Sequence, residues 1–157
     1  MTAAVDPALD LTFSRLIKAP RQKIWAAWTE PRLLEQWFVP APSRCRVVTL
    51  ELRPGGGFVT EFSEQGDGHY VPHINGCILA AEAPGRLVFT DALTGGWRPS
   101  GQPFMTAVVT LREHAQGTDY AAHVLHQDAA VRQRHLDMGF HDGWGAVSEQ
   151  LARLVEA

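Results

Sequence analysis

Cysteine is scarce in this chain: 157 residues contain two, Cys45 and Cys77, far apart and in no CxxC spacing. That excludes a disulfide-dense scaffold and a paired-cysteine zinc motif, and the two are read as reduced thiols. Long hydrophobic runs are also missing; none approaches the about 20 apolar residues that a membrane span needs. Nor does charge of either sign gather in a block: 14 Lys and Arg stand against 17 Asp and Glu, a formal net charge of −3. The sequence therefore predicts no nucleic-acid partner and no membrane partner. The first residues, Met1 to Pro7, lack a basic start and an apolar stretch, so no secretory signal is read and a cytoplasmic location is expected. Catalytic signatures are absent too. There is no G-x-S-x-G elbow, and no GK[ST] follows the glycines after Pro54, which are read as a turn.

What the sequence does have is a strongly patterned end. Phe140, Trp144, Val147, Leu151 and Leu154 recur at steps of four, three, four and three, which lays an apolar stripe along one face of a long C-terminal helix within residues 139–157. Such a stripe must be buried against something, and the rest of the chain reads as strands. Gly139 and Gly143 flank Phe140 and Trp144 on this helix. They leave room either for close backbone packing or for a hollow.

Alternation of apolar residues predicts a first strand over 9–17, then two short helices, one around Ile24 and Trp28 and one through Leu33, Leu34, Trp37 and Phe38. Strands follow over 44–52, 58–62, 69–82, 86–90, 104–113 and 118–126, with 94–101 read as a loop carrying Trp97. Pro72 and Gly76 suggest an edge or a bulge in the long strand. Asp128 is a plausible N-cap for the closing helical region. Short Gly-containing turns between successive strands imply an antiparallel meander. The expected architecture is α+β: a seven-stranded antiparallel sheet and a long C-terminal helix, with two short helices after the first strand, in one domain over 1–157.

Several segments in order, Ala19-Pro20-Arg21, Trp25-Ala26-Ala27-Trp28-Thr29-Glu30-Pro31, Leu34-Glu35-Gln36-Trp37-Phe38, Pro54-Gly55-Gly56, Arg86-Leu87-Val88-Phe89-Thr90 and Gly143-Trp144 before Gln150-Leu151, resemble the activator of heat-shock protein 90 ATPase homologue-like family. That family belongs to the START-like, or SRPBCC, helix-grip superfamily. The resemblance implies a curved sheet gripping the C-terminal helix around a deep apolar cavity, with the short helices closing one end. The chain differs from relatives at Gly57, where a basic residue often follows the glycine pair, and an additional N-terminal domain like that of the eukaryotic chaperone activators is not expected.

Three functions are weighed. The leading one is binding of a small, largely apolar ligand, lipid-like or aromatic, in the cavity. Its candidate lining is Trp37, Phe62, His73, Phe89, Phe104, His123, Phe140 and Trp144. The second is a polyketide cyclase-, dehydratase- or hydrolase-like enzyme in which a cavity histidine, His73 or His123, moves a proton. The third is a chaperone-interacting module. His123 and His126 have opposite parity, so at most one faces the cavity, and His123 is the better candidate. His73, Asn75 and Cys77 share a parity but make a poor ligand set, so no metal and no cofactor are expected.

Overall fold

The computed structural model describes residues 4–157; the first three residues of the segment read for a signal lie outside it. A strand β1 (Asp10–Ile17) leads into helices α1 (Arg21–Thr29) and α2 (Pro31–Leu34). Strands β2 (Arg44–Leu50), β3 (Gly57–Ser63), β4 (Val71–Glu82), β5 (Arg86–Thr90), β6 (Leu93–Thr94), β7 (Arg98–Pro99), β8 (Thr106–His114) and β9 (Gly117–Leu125) follow. The chain closes with α3 (Ala129–Asp137) and α4 (Phe140–Glu156). Seven strands form one antiparallel sheet in the order β1-β9-β8-β5-β4-β3-β2. This is the α+β helix-grip arrangement: the long α4 lies against the inner face of the curved sheet.

Inner-face residues can be followed through the register. Tyr120, Ala122 and Val124 on β9 stand opposite Arg15, Phe13 and Leu11 on β1, and Ala107, Val109 and Leu111 on β8 continue the row. They meet Phe140, Leu151, Ala152 and Val155 of α4, with Trp144, Val147 and Leu154 packed partly buried beside them. The buried centre of α4 thus lies to one side of the predicted stripe, through Ser148, Ala152 and Val155.

Helix α4 is also held by polar ties. Arg15 pairs with Glu149 at 3.0 Å, and Glu156 accepts the Lys18 amide at 2.8 Å. Both N–H donors of the Gln150 amide are used, and its oxygen accepts as well. Its nitrogen donates to the carbonyls of Trp37 (2.9 Å) and Val39 (2.8 Å), and its oxygen accepts the Ala41 N–H at 2.8 Å. One side chain therefore fastens the segment after α2 to the gripping helix, which fixes Trp37 and Phe38 in place.

Three local features depart from the sequence reading, and a fourth, a bulge in β4, is the one expected from Pro72. The second helix is shorter than expected: Pro31 begins it at its first turn, and after Leu34 the chain continues as turns, with Gln36 and Trp37 amides bonded three residues back. Residues 94–101 are not a plain loop. Strands β6 and β7 pair there, and Trp97, with φ of 62°, lies over Gly55. The long strand β4 slips register between its pairs with Thr60 and Glu61, leaving His73 as the extra residue of a bulge. The closing helical region is two helices. Asp128 caps α3 by accepting the Val131 N–H at 2.8 Å, and Gly139, at φ of 91°, turns the chain into α4.

On the edge strand β2, Glu35 reaches from the end of α2 to accept the Val47 N–H at 2.8 Å. No helix among the described residues is long and apolar enough to cross a membrane.

Candidate functional site

Between α4, the short helices and the inner face of β4 and β5 lies an apolar cavity of about 220 Å³. Its walls are mostly aromatic. Trp28, Trp37 and Phe38 come from the helical segment after β1, Phe89 from β5, and Phe140 and Trp144 from α4. The rings brace one another edge to face: Trp28 on Trp37 at 4.9 Å, Trp28 on Phe38 at 5.5 Å, and Trp37 on Phe38 at 5.5 Å between centroids. Trp37 Nε1 donates to the Ala27 carbonyl and Trp28 Nε1 to the Tyr120 hydroxyl, so the indole donors are satisfied away from the cavity and their apolar faces remain. The mouth is bordered by Pro40, His73 and Met138, and Met138 is 69% exposed.

Gly143 settles the choice between close packing and a hollow. It lines the cavity, and a Cβ built on it meets no heavy atom within 4 Å. A bulky residue on α4 is missing just where the space lies. Gly139 is similarly open, but its positive φ gives it a backbone role as well.

Two histidines line the cavity. The bulge in β4 brings His73 round to the face of Ile74, away from Asn75 and Cys77. Its Nδ1 is 3.0 Å from the Thr60 hydroxyl, which already accepts the Ile74 amide at 3.2 Å. The hydroxyl still has a proton to give and a second lone pair to accept with, so either tautomer of His73 satisfies this contact. The ring packs against Phe38 and Phe62 (5.8 and 5.3 Å), and the resulting loss of solvent lowers its pKa although one edge stays exposed at the mouth.

His135, on α3, is the second. It sits among Phe104 (4.6 Å), Phe140 (5.0 Å) and His126 (5.1 Å). Burial, with the neighbouring His126 as the smaller cause, pushes its pKa down to about 4.

Of the eight residues expected to line the cavity, the fold brings five together there: Trp37, His73, Phe89, Phe140 and Trp144. Phe62 backs His73 without reaching the cavity, and Phe104 stands one layer behind His135. His123 is the clear correction. Because Tyr120, Ala122 and Val124 take the inner face, His123 faces outward, 7% exposed, with Nε2 2.7 Å from Asp10 Oδ2. His126 takes the inner side, reversing the expected preference. Trp28 and His135 were missed. Trp28 carries the same helical spacing as Ile24 and was available as a signal, whereas His135 lies in a polar helix with no apolar periodicity to mark it. Among the described residues no three His, Cys, Asp or Glu side chains converge as a metal-binding group.

This geometry has known counterparts. The profile of the family described as Activator of Hsp90 ATPase homolog 1-like protein matches residues 18–156. The chain belongs to that family. A crystal structure of a Nitrosomonas europaea protein is 37% identical over 98% of both chains, with a TM-score of 0.90. A Mycobacterium smegmatis protein is 29% identical over 94% of this chain and 91% of its own, with a TM-score of 0.77. An AHSA1-like protein from Aeromonas hydrophila, 17% identical with a TM-score of 0.67, shares the fold. No match was found among curated proteins. The activator of Hsp90 ATPase homolog 1-like family thus accounts for the helix-grip scaffold; the aromatic lining and the two histidines are read from this chain's own residues.

Proposed function

We propose that this family member binds a small, largely apolar ligand, most suitably an aromatic one, in the cavity between α4 and the sheet. The observation that carries this reading is the open space beside Gly143, walled by Trp28, Trp37, Phe89, Phe140 and Trp144. An apolar cavity of about 150 Å³ is enough for benzene, so about 220 Å³ has room for a ring with substituents or a fused pair. Burial of apolar ligand surface contributes about 25 cal/mol per Å² before the costs of association. Flat rings in the walls favour planar ligands, through stacked or edge-on contacts. The contact residues in this reading are Trp28, Trp37, His73, Phe89, His135, Phe140, Gly143 and Trp144.

The test is saturable binding of naphthalene-type probes by calorimetry, with Gly143→Leu as the blocking variant. Leu at 143 projects into the cavity and is expected to abolish binding while the protein stays folded. Absence of saturable binding to the unmodified protein removes the proposal. A second reading, proton transfer to or from a bound substrate, is favoured by His73 and His135 lining the same space. Turnover of a bound probe into a cyclised or dehydrated product, lost in His135→Phe, distinguishes it. The chaperone reading rests on the family's name and on no side-chain arrangement described above.

A further inference from the structure

At the α3 end of the cavity, His126 Nδ1 lies 2.8 Å from the Leu9 carbonyl oxygen, and His126 Nε2 lies 2.8 Å from His135 Nδ1. A carbonyl oxygen can only accept, so His126 Nδ1 carries a proton. Among the described residues no carboxylate makes a salt bridge with either ring, and both pack against Phe104. Two neutral rings satisfy both contacts with no charge left to compensate. With His126 neutral, its Nε2 is a lone pair and must accept, and His135 Nδ1 must donate to it. The chain of bonds therefore runs one way, from His135 through His126 to Leu9. It ends by leaving His135 Nε2 as an unprotonated lone pair with no hydrogen-bond partner among the described residues. His135 lines the cavity beside Phe140 and Met105. This tautomer gives a residue of the cavity wall a free acceptor.

Resting on the ligand-binding reading above, we propose that the cavity selects a neutral aromatic ligand bearing a phenolic or enolic hydroxyl, which donates its hydrogen bond to Nε2 of His135. The lone pair rejects an ether, which has no proton to give, and it rejects a carboxylate, whose oxygens are acceptors too. Burial of His135 works in the same direction, because a ring held neutral offers no charge to an anion. His126 acts as a positioning residue: it never touches the ligand, but it sets which nitrogen of His135 is bare.

The experiment uses the full chain near pH 7.5 and three matched probes: 2-naphthol, 2-methoxynaphthalene and 2-naphthoate. Calorimetry is expected to give 2-naphthol an affinity roughly fivefold to tenfold above the methyl ether, the size of one net hydrogen bond, with 2-naphthoate weakest. In His135→Phe the naphthol and its ether become equal. Long-range nitrogen-proton correlation spectra of the unmodified protein give a readout that needs no variant. They are expected to show His135 protonated on Nδ1, with its bare Nε2 resonance moving upfield when 2-naphthol is added. Equal binding of naphthol and ether overturns the proposal and leaves the cavity reading standing. Tightest binding of the naphthoate, or a proton found on His135 Nε2, also overturns it. If no probe binds, both readings fall together.

Discussion

Nε2 of His126 approaches Nδ1 of His135 to 2.8 Å, joining the end of the sheet to the helix that precedes α4. Burial of His135, with this contact as the smaller cause, has a measurable cost in acid. A histidine at its ordinary pKa of 6.5 gains a proton well before one held at about 4. Between those values the unfolded chain binds more protons than the folded one, so stability falls as pH drops from about 6.5 toward 4 and is fully present above that window. His73, lowered by the packing of its ring, adds in the same direction. Denaturant midpoints across this range are expected to decline in the unmodified protein and to decline less in His135→Phe. Identical slopes for the two would refute the assignment.

Gly143 and Gly139 are expected to respond oppositely to the same change. Gly143→Ala puts a methyl group into open space within a helix and is expected to stabilise by about 1 kcal/mol. Gly139→Ala meets no clash either, but its φ of 91° is one that L side chains rarely adopt, so it is expected to destabilise by about 1 kcal/mol or more. Chemical denaturation of the two variants checks the contrast. Stabilisation by both would mean that the turn between α3 and α4 does not need its left-handed residue.

Tyr120 is fully buried, and its hydroxyl accepts Trp28 Nε1 at 3.2 Å. Desolvation is the main reason its phenol pKa lies well above the ordinary value. Tyr120→Phe keeps the ring and strands the indole donor, at an expected cost of about 1–3 kcal/mol. Urea unfolding gives the number, and a neutral result would show that another group can satisfy Trp28.

The turn at Pro54 makes a coupled prediction. A Cβ on Gly55 would collide with Trp97 Nε1, and Gly55 also has φ of 85°. Gly55→Ala is therefore expected to destabilise for two reasons, and only the clash is relieved by Trp97→Ala. In a double-mutant cycle the cost of Gly55→Ala shrinks, without vanishing, when Trp97 is gone. Strict additivity would show that the indole simply moves aside.

The order of elements and the burial of α4 against strands could be read from periodicity because each rests on local repetition: alternation along β1, β3 and β8, and steps of three and four from Phe140. The candidate site was legible only where a side chain's direction follows from such repetition. Phe140 and Trp144 could be placed on the buried side of α4, and Trp37 on the helical segment facing it. Between His123 and His126 the sequence favoured the wrong one, because alternation says that the two differ and not which face is concave. That choice is made by Tyr120 and Val124 packing under α4. His73 escaped simple parity because the bulge at Pro72 and His73 shifts the register by one residue. His135 is brought to the cavity by the turn at Gly139 and by a partner nine residues earlier in sequence, a tertiary arrangement that no short pattern carries.

The bond from Glu35 to the Val47 amide bears on how the molecule behaves in a crowd. An outermost strand with free amides can template the addition of another chain. Along β2 one of those amides is occupied by a carboxylate, the Arg46 side chain is drawn into a pair with Glu61, and the register shift after Val47 interrupts any straight run of donors. Growth of the sheet from this margin is thereby discouraged, and the curved wall can keep an unfilled interior without recruiting a neighbour to cover its border.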